Sequence, residues 1–355
     1  MSKKDKKVVV AMSGGVDSSV VAALLKKQGY DVIGVFMQFW FPKGGIYGEN
    51  RCCSLESFNE AKKVADILDI PLHKLNVGRE FKDKIVDQFL SEYQSGKTPN
   101  PCVACNKFIK FGLLWQKVKA IWNVDYLATG HYVRLQRTES EVKLLRGKDK
   151  NKDQSYFLYN INQKVLPHVL FPVGKYTKME VRQLAKKFKL PVHNKRDSQE
   201  ICFVGKSHYD FLKKYLKLVP GKIVGTDGEI LGEHQGLPLY TIGQRTGLGL
   251  AGGPWYVSGF NRKNNQLSVT RDQKNSDIFG QELTCNKINW LSGTPKFPLK
   301  CQCQIRYRSS AVNCVVSKNK NNLKIKFFKK QRAIMPGRSV VFYLGQKVLG
   351  GGVII

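Results

Sequence analysis

The sequence predicts an α/β protein: a doubly wound parallel sheet, then a small central β-rich domain and a C-terminal β-barrel. Three observations carry this expectation. Over the first 130 residues, short apolar runs alternate with stretches of helical periodicity, the pattern of a parallel sheet covered by helices. From about residue 208 short strand-like runs and glycine-rich turns replace that alternation. The last ninety residues then hold "QLSVTR", "CQCQIRYR", "AVNCVVS", "LKIKFF" and "RSVVFYL", a set that suits a small barrel.

Taken in order, "KVVVAM" reads as a buried first strand, and Val20, Val21, Leu24 and Leu25 share one face of a helix over residues 18–27 that Gly29 ends. "DVIGVFM" is the second strand. Ser57 and Glu60 stand in capping-box spacing at the start of the next helix, which stops before Pro71. "LHKLNV" follows, then a helix bearing Phe81, Ile85, Phe89 and Tyr93, another over residues 103–122, and the strand "DYLATG". Residues 131–205 are mixed, with a second capping box at Thr177 and Glu180. "VGTDGEIL" reads as a hairpin around Asp227-Gly228. The expected division is 1–206, 207–270 and 271–355.

The chain has 355 residues and an ordinary hydrophobic content of 42%. Its charge is not ordinary: 59 Lys and Arg against 27 Asp and Glu leave +32, with a pI near 9.8. Such a surface attracts polyanions, of which nucleic acid is the commonest soluble one. Nine cysteines spread along a long chain do not form a secreted disulfide framework. The N-terminal sequence lacks a long apolar signal region, and no stretch approaches 18 uninterrupted apolar residues. The expectation is a cytoplasmic protein, with no membrane partner, whose cysteines are thiols, ligands or catalysts.

"AMSGGVDSSV" lies where the first strand gives way to the first helix. Gly14 and Gly15 let successive backbone N–H groups converge on phosphate oxygens at a helix N-terminus. Ser13, Ser18 and Ser19 add hydroxyl donors, and Asp17 is placed to hold Mg2+. Neither the Walker pattern nor G-x-G-x-x-G is present. SGGVDSS resembles the PP-loop of the ATP pyrophosphatases, which cut ATP between the α and β phosphates to adenylate a substrate. In that superfamily a loop after a later strand closes the nucleotide site, and "ATGHYVR" at residues 128–134 matches it. The resemblance gives Gly130 an approach to the nucleotide and turns His131 toward the substrate.

"TPNPCVACNK" holds Cys102 and Cys105, which one C-x-x-C leaves open as half a metal site, a redox pair or a nucleophile. A structural zinc needs four ligands, no second C-x-x-C exists, and Cys301 and Cys303 have the spacing of one strand face. Cys202, in "NKRDSQEICFVG", reads alone as a buried strand residue. Together, and in order, SGGVDSS, ATGHYVR, N-P-x-x-x-C-N-K, "KDQSYFL" and "DSQEICF" resemble the bacterial tRNA-specific 2-thiouridylases. "GLGLAGGPWYV", "IRYR" and "PGRSVVFY" extend the likeness over nearly the whole chain.

That resemblance implies an ATP-dependent enzyme that adenylates the 2-oxygen of the wobble uridine, position 34, in tRNAs for Lys, Glu and Gln, and replaces it with sulfur. The sulfur arrives as a persulfide from a cysteine desulfurase or a sulfur-relay protein. By motif, Cys202 matches the persulfide cysteine and Cys105 the nucleophile, with a Cys105–Cys202 disulfide left to be reduced. ATP would be held by Ala11, Met12, Ser13, Gly14, Gly15, Val16, Asp17 and Ser18, with Met37 flanking adenine and Gly130 closing the site. The tRNA would meet Asn100, Pro101 and Cys102 at the base with His131, then Lys152, Asp153 and Gln154 at the anticodon arm, and Arg306, Tyr307 and Arg308 in the barrel. Arg338 matches a family contact that is usually not arginine. Cys102 stands where better-known members carry Asp. The substitution puts three cysteines around one site, which admits thiolation through a three-cysteine iron–sulfur cluster as an alternative. Another PP-loop tRNA-modifying enzyme is the remaining one.

Overall fold

The computed structural model describes residues 6–42, 54–196, 201–205 and 207–355. Residues 197–200 of the DSQEICF motif lie outside the described residues. The first part of the chain runs β1 (Lys7–Ala11), α1 (Val16–Lys27), β2 (Asp31–Gln38), α2 (Leu55–Leu68), β3 (Leu72–Asn76), α3 (residues 78–94), α4 (residues 101–122) and β4 (Tyr126–Ala128). A hairpin of β5 (Val133–Arg137) and β6 (Val142–Arg146) follows, then β7 (Val169–Leu170) and α5 (Lys178–Lys187). Strands β3-β2-β1-β4-β7 form one parallel sheet in that order. The chain works outward from β1 to β3 on one side and then crosses to β4 on the other. The loops after β1 and β4 therefore flank the switch point, where open α/β sheets bind ligands.

Strand periodicity divides the core. Val8 and Val10 face a cluster with α1, α2 and α5, while Val9 faces one with α3 and α4. All three are fully buried, as a central strand covered on both faces requires. The capping box of α5 is present in both halves, Thr177 with Glu180. The start of α2 lies three residues earlier than the sequence pattern indicates: Ser54 is the cap, accepting from the Ser57 amide at 3.1 Å. Ser57 is buried in the first turn, and Glu60 instead pairs with Lys195. Residues 105–114 of α4 are wound with the wider i→i+5 spacing of a π-helix, a distortion common at functional sites.

After α6 (His208–Tyr215), strands β8 (Gly221–Val224), β9 (Ile230–His234), β10 (Tyr256–Asn261) and β11 (Gln266–Thr270) make a second sheet, ordered β10-β11-β8-β9. The expected hairpin around Asp227-Gly228 joins β8 to β9, with Gly228 at φ +86°. "QLSVTR" is β11 and belongs to this central sheet, not to the barrel as its sequence position suggests. Its parallel pairing with β8 fixes its place, a long-range contact that local pattern does not report.

The barrel has six antiparallel strands: β12 (Phe279–Trp290), β13 (Leu299–Gln304), β14 (Val312–Asn319), β15 (Asn322–Arg332), β16 (Ser339–Leu344) and β17 (Lys347–Ile354). They run β12-β15-β14-β13-β16-β17 and close through β12 with β17. Cys301 and Cys303 point together into its core, as their spacing predicts. The β5–β6 hairpin leaves the parallel sheet and extends the barrel sheet beside β17. Tyr156 and Tyr159 tie the two parts through Ser339, with hydroxyl bonds of 2.9 and 3.2 Å. The Thr98 amide donates to the Pro336 carbonyl at 2.8 Å, bringing the segment before Cys102 against the barrel.

Candidate active site

The loop after β1 is built to present backbone. Ala11 ends the strand and the Met12 amide continues its ladder to the Val35 carbonyl at 2.9 Å. Gly14 has φ +69°, and a Cβ there would sit 2.1 Å from the Ser57 carbonyl oxygen, so only glycine fits. Gly15 precedes α1 without a side-chain cap. The first-turn amides at Val16, Asp17 and Ser18 are thus at the positions a phosphate would use. The Ser18 hydroxyl accepts from the Ser13 amide at 3.2 Å and donates to the Gly15 carbonyl at 3.1 Å, while Ser19 donates to that carbonyl at 2.9 Å. These two serines shape the loop. Lys195 holds it from behind, donating to the Gly14 carbonyl and the Ser57 hydroxyl at 3.3 Å each and pairing with Glu60.

The loop after β4 closes on the same turn. A Cβ at Gly130 would lie 3.0 Å from the Asp17 Cβ and 3.0 Å from the Ser18 amide nitrogen. The Tyr132 hydroxyl donates to Asp17 Oδ1 at 2.7 Å, and the Lys178 ammonium reaches the same oxygen at 2.7 Å. Sequence reasoning missed Tyr132, Lys178, Lys195 and Glu60. Only Tyr132 had a signal, its place inside ATGHYVR; the lysines come from distant segments. Met37 is buried near the carboxyl end of β2, in register with Leu75. His131 Nδ1 lies 2.8 Å from the Thr129 hydroxyl, packed between Phe111 and Phe171. Burial, with Lys110 nearby, pushes its pKa well below the usual histidine range, so the ring is neutral.

Asn100 caps α4, accepting from the Val103 amide at 3.4 Å, and Pro101 occupies the first helical position. Cys102 is exposed and Cys105, one turn on, is 8% exposed at the start of the π-wound stretch. Cys202 is half-buried against the apolar cluster that contains Cys105. All three are thiols. Among the described residues no three His, Cys, Asp or Glu side chains converge as a metal-binding group. Asp17 suits a divalent cation shared with phosphate oxygens: it is a partly exposed carboxylate in the first turn of α1, whose Oδ1 accepts from Tyr132 and Lys178.

Arg338 comes from the barrel to lie beside Tyr156 and Tyr93, and burial lowers its pKa. A cleft of about 670 Å³ between the β6–β7 connection and the barrel is lined by Arg134, Arg146, Lys148, Lys150, Tyr307 and Arg308, among others. Arg306 turns away, donating to the Arg332 carbonyl at 2.7 Å. Lys152 is half-buried in the same connection. Asp153 accepts from Arg146, the Gly147 amide, and the Ser155 amide and hydroxyl at 2.9 to 3.1 Å. Gln154 exchanges two hydrogen bonds with the Tyr132 backbone, at 2.9 and 3.1 Å. These two side chains build the turn behind the cleft.

Comparison with known proteins places this geometry in a family. A tRNA-specific 2-thiouridylase of Clostridium perfringens is 46% identical over 359 residues, covering 98% of each chain. The chain belongs to the tRNA-specific 2-thiouridylase family. A second member, from Carboxydothermus hydrogenoformans, is 47% identical over 363 residues, with 98% of this chain and 97% of that one covered. One from Psychromonas ingrahamii is 44% identical over 357 residues, at 98% and 96%. The model described as the tRNA methyl transferase HUP domain matches residues 6–206. The accompanying PRC-barrel model matches 209–271, and an aminomethyltransferase β-barrel model matches 280–354. Among the described residues no helix is long and apolar enough to cross a membrane.

Proposed function

We propose that this chain is a tRNA 2-thiouridylase that uses ATP to activate a uridine and replaces its 2-oxygen with sulfur. The observation that carries the reading is the join at the switch point, where the Ser13–Gly15 loop, Asp17 and Gly130 meet in a domain that also packs Cys105 and Cys202 on one cluster. The domain descriptions speak of methyl transfer. A phosphate loop with two thiols suits adenylation and sulfur transfer instead.

Ala11 to Ser18, with Met37 and Gly130, would bind ATP, and Asp17 would hold the Mg2+ that screens its phosphates. The 2-oxygen of uridine 34 attacks the α-phosphorus, pyrophosphate leaves, and the N3 proton passes to solvent. Cys202 carries a persulfide supplied by a cysteine desulfurase or a relay protein. The Cys105 thiolate attacks the inner sulfur of that persulfide. The terminal sulfur leaves as hydrosulfide, adds to C2 and expels AMP. A two-electron reductant then reopens the Cys105–Cys202 disulfide. Asn100, Pro101, Cys102 and His131 would surround the base and Arg338 would pair with a phosphate; Lys152, on the turn that Asp153 and Gln154 build, would meet the anticodon arm, and Arg306 to Arg308 would meet the tRNA from the barrel. The tRNAs would be those for Lys, Glu and Gln, the location cytoplasmic, and the domains 1–206, 207–270 and 271–355.

The test is nucleoside mass spectrometry of tRNA after incubation with ATP and a persulfide donor. 2-Thiouridine, AMP and pyrophosphate are expected together. Cys105→Ser and Cys202→Ser should each abolish 2-thiouridine while tRNA affinity stays within about threefold, since neither thiol neutralises a phosphate. ADP and phosphate, or a methylated uridine, would overturn the reading.

A further inference from the structure

The phosphate loop has no Walker-type lysine, yet cleavage between the α and β phosphates leaves a highly charged pyrophosphate to depart. Two lysines reach the loop from elsewhere. Lys195 has a backbone carbonyl, a hydroxyl and the Glu60 carboxylate as partners, which makes it a brace for Gly14. Lys178 differs. Its ammonium lies 2.7 Å from Asp17 Oδ1 and 5.8 Å from the centre of the Tyr132 ring, at the mouth of the α1 N-terminus. Its side chain is only 12% exposed.

The position is held firmly. Lys178 is the first residue of α5, whose capping box closes through Glu180. Lys148 pairs with that carboxylate at 2.8 and 3.0 Å, and the Lys178 amide donates to Asp149 at 2.9 Å. An ammonium so placed shares its site with the loop amides and the Asp17 carboxylate, which on the reading above face the triphosphate.

We propose that Lys178 is the cation that receives the leaving pyrophosphate, its ammonium passing from Asp17 to the β- and γ-phosphate oxygens when ATP binds. As the α-phosphorus bonds to the uridine oxygen, the α–β bridging P–O bond breaks and its electron pair goes to pyrophosphate. Lys178 donates hydrogen bonds to that developing charge and exchanges no proton. Preorganised donors of this kind matter most where charge grows in the transition state.

This inference rests on the proposed adenylation, so the experiment separates the two. Single-turnover release of labelled pyrophosphate from ATP is measured with tRNA for wild type, Lys178→Met and Lys178→Gln, beside each protein's melting curve and its affinities for pyrophosphate and AMP. The expected result is a fall in pyrophosphate release at saturating ATP of about 10²- to 10³-fold, as for loss of an oxyanion donor. Pyrophosphate affinity should fall at least about tenfold while AMP affinity holds, a split that a purely structural lysine would not produce. Lys178→Gln retains a neutral hydrogen-bond donor on a shorter side chain, so a folding defect in the methionine variant would not stand for chemistry. Rates within about threefold of an active wild type would leave Lys178 a structural latch and overturn the inference alone. Wild-type protein that released no pyrophosphate would overturn the adenylation reading with it.

Discussion

Replacing Asp153 separates a residue that reads RNA from one that builds the cleft. Its side chain is 9% exposed and accepts four hydrogen bonds, one of them from the Arg146 guanidinium at 2.9 Å. Arg146 also lies 3.6 Å from the centre of the Tyr343 ring. Asp153→Ala leaves that guanidinium beside an aromatic wall without its counter-charge and strips the turn of its acceptor. Breaking a buried ion pair from one side costs roughly 3–5 kcal/mol. Arg146 is 21% exposed, so water recovers part of this and the lower end applies. At about 2–4 °C per kcal/mol, a loss of about 3 kcal/mol lowers the melting temperature by roughly 6–12 °C. Asp153→Asn keeps one oxygen for the amides and should fall about half as far. Thermal melts and filter binding to tRNA, below the lowered transition, decide the matter. A melt within about 2 °C of wild type with a tenfold loss of affinity would refute the reasoning and make the carboxylate a direct RNA contact.

Two other outcomes follow from the site. His131 stays neutral when folded, whereas the unfolded chain takes up a proton below about pH 6.5. Stability should therefore be full above about pH 6.5 and fall as the pH drops toward the depressed folded value, by up to about 1.4 kcal/mol per unit for this group. Melts from about pH 7.5 to 5 should show His131→Gln flattening the decline, with His208 and His234, also depressed by burial, supplying the remainder. Gly14→Ala forces a left-handed alanine, costing about 1–2 kcal/mol, and drives its Cβ into the Ser57 carbonyl. Pyrophosphate release should collapse with tRNA affinity little changed, while Gly15→Ala, whose nearest neighbour is the Ser13 hydroxyl at 3.4 Å, should retain turnover.

The elements that carry their own periodicity were legible in the sequence. Val8, Val9 and Val10 announce a strand covered on both faces, and Thr177 with Glu180 marks the start of α5 without help from the rest of the fold. Ser57 and Glu60 imitate the same signal and mislead, because Ser54 lies one turn earlier and Glu60 has a lysine partner 135 residues away. β7 has two residues, too few to show a period, and the β5–β6 hairpin joins a sheet whose other strands begin at residue 279. Within the site, the glycines were marked by a local motif, whereas the roles expected of the thiols came only with the family resemblance. Lys178 and Lys195 could not be named from either, since their meaning comes only from the residues they touch. Asp153 and Gln154 show the reverse: a motif selects them, and the folded chain directs their side chains inward.

The 146–154 segment faces two ways, and both ends matter to Asp17. On its outer side Arg146, Lys148 and Lys150 line the basic cleft with Tyr307 and Arg308. On its inner side Gln154 fixes the Tyr132 backbone, and the Tyr132 hydroxyl fixes Asp17. A second path runs from Lys148 and Asp149 through the first turn of α5 to Lys178, and so to the same carboxylate oxygen. Each link is a hydrogen bond of 2.7–2.9 Å, and together they brace one side chain from two directions. A nucleic acid drawn into the cleft would meet Lys148, whose partner Glu180 caps the helix that brings Lys178 to Asp17. The basic surface and the loop at Asp17 are thus parts of one braced unit, joined by nine residues, because the turn that Asp153 holds together serves both.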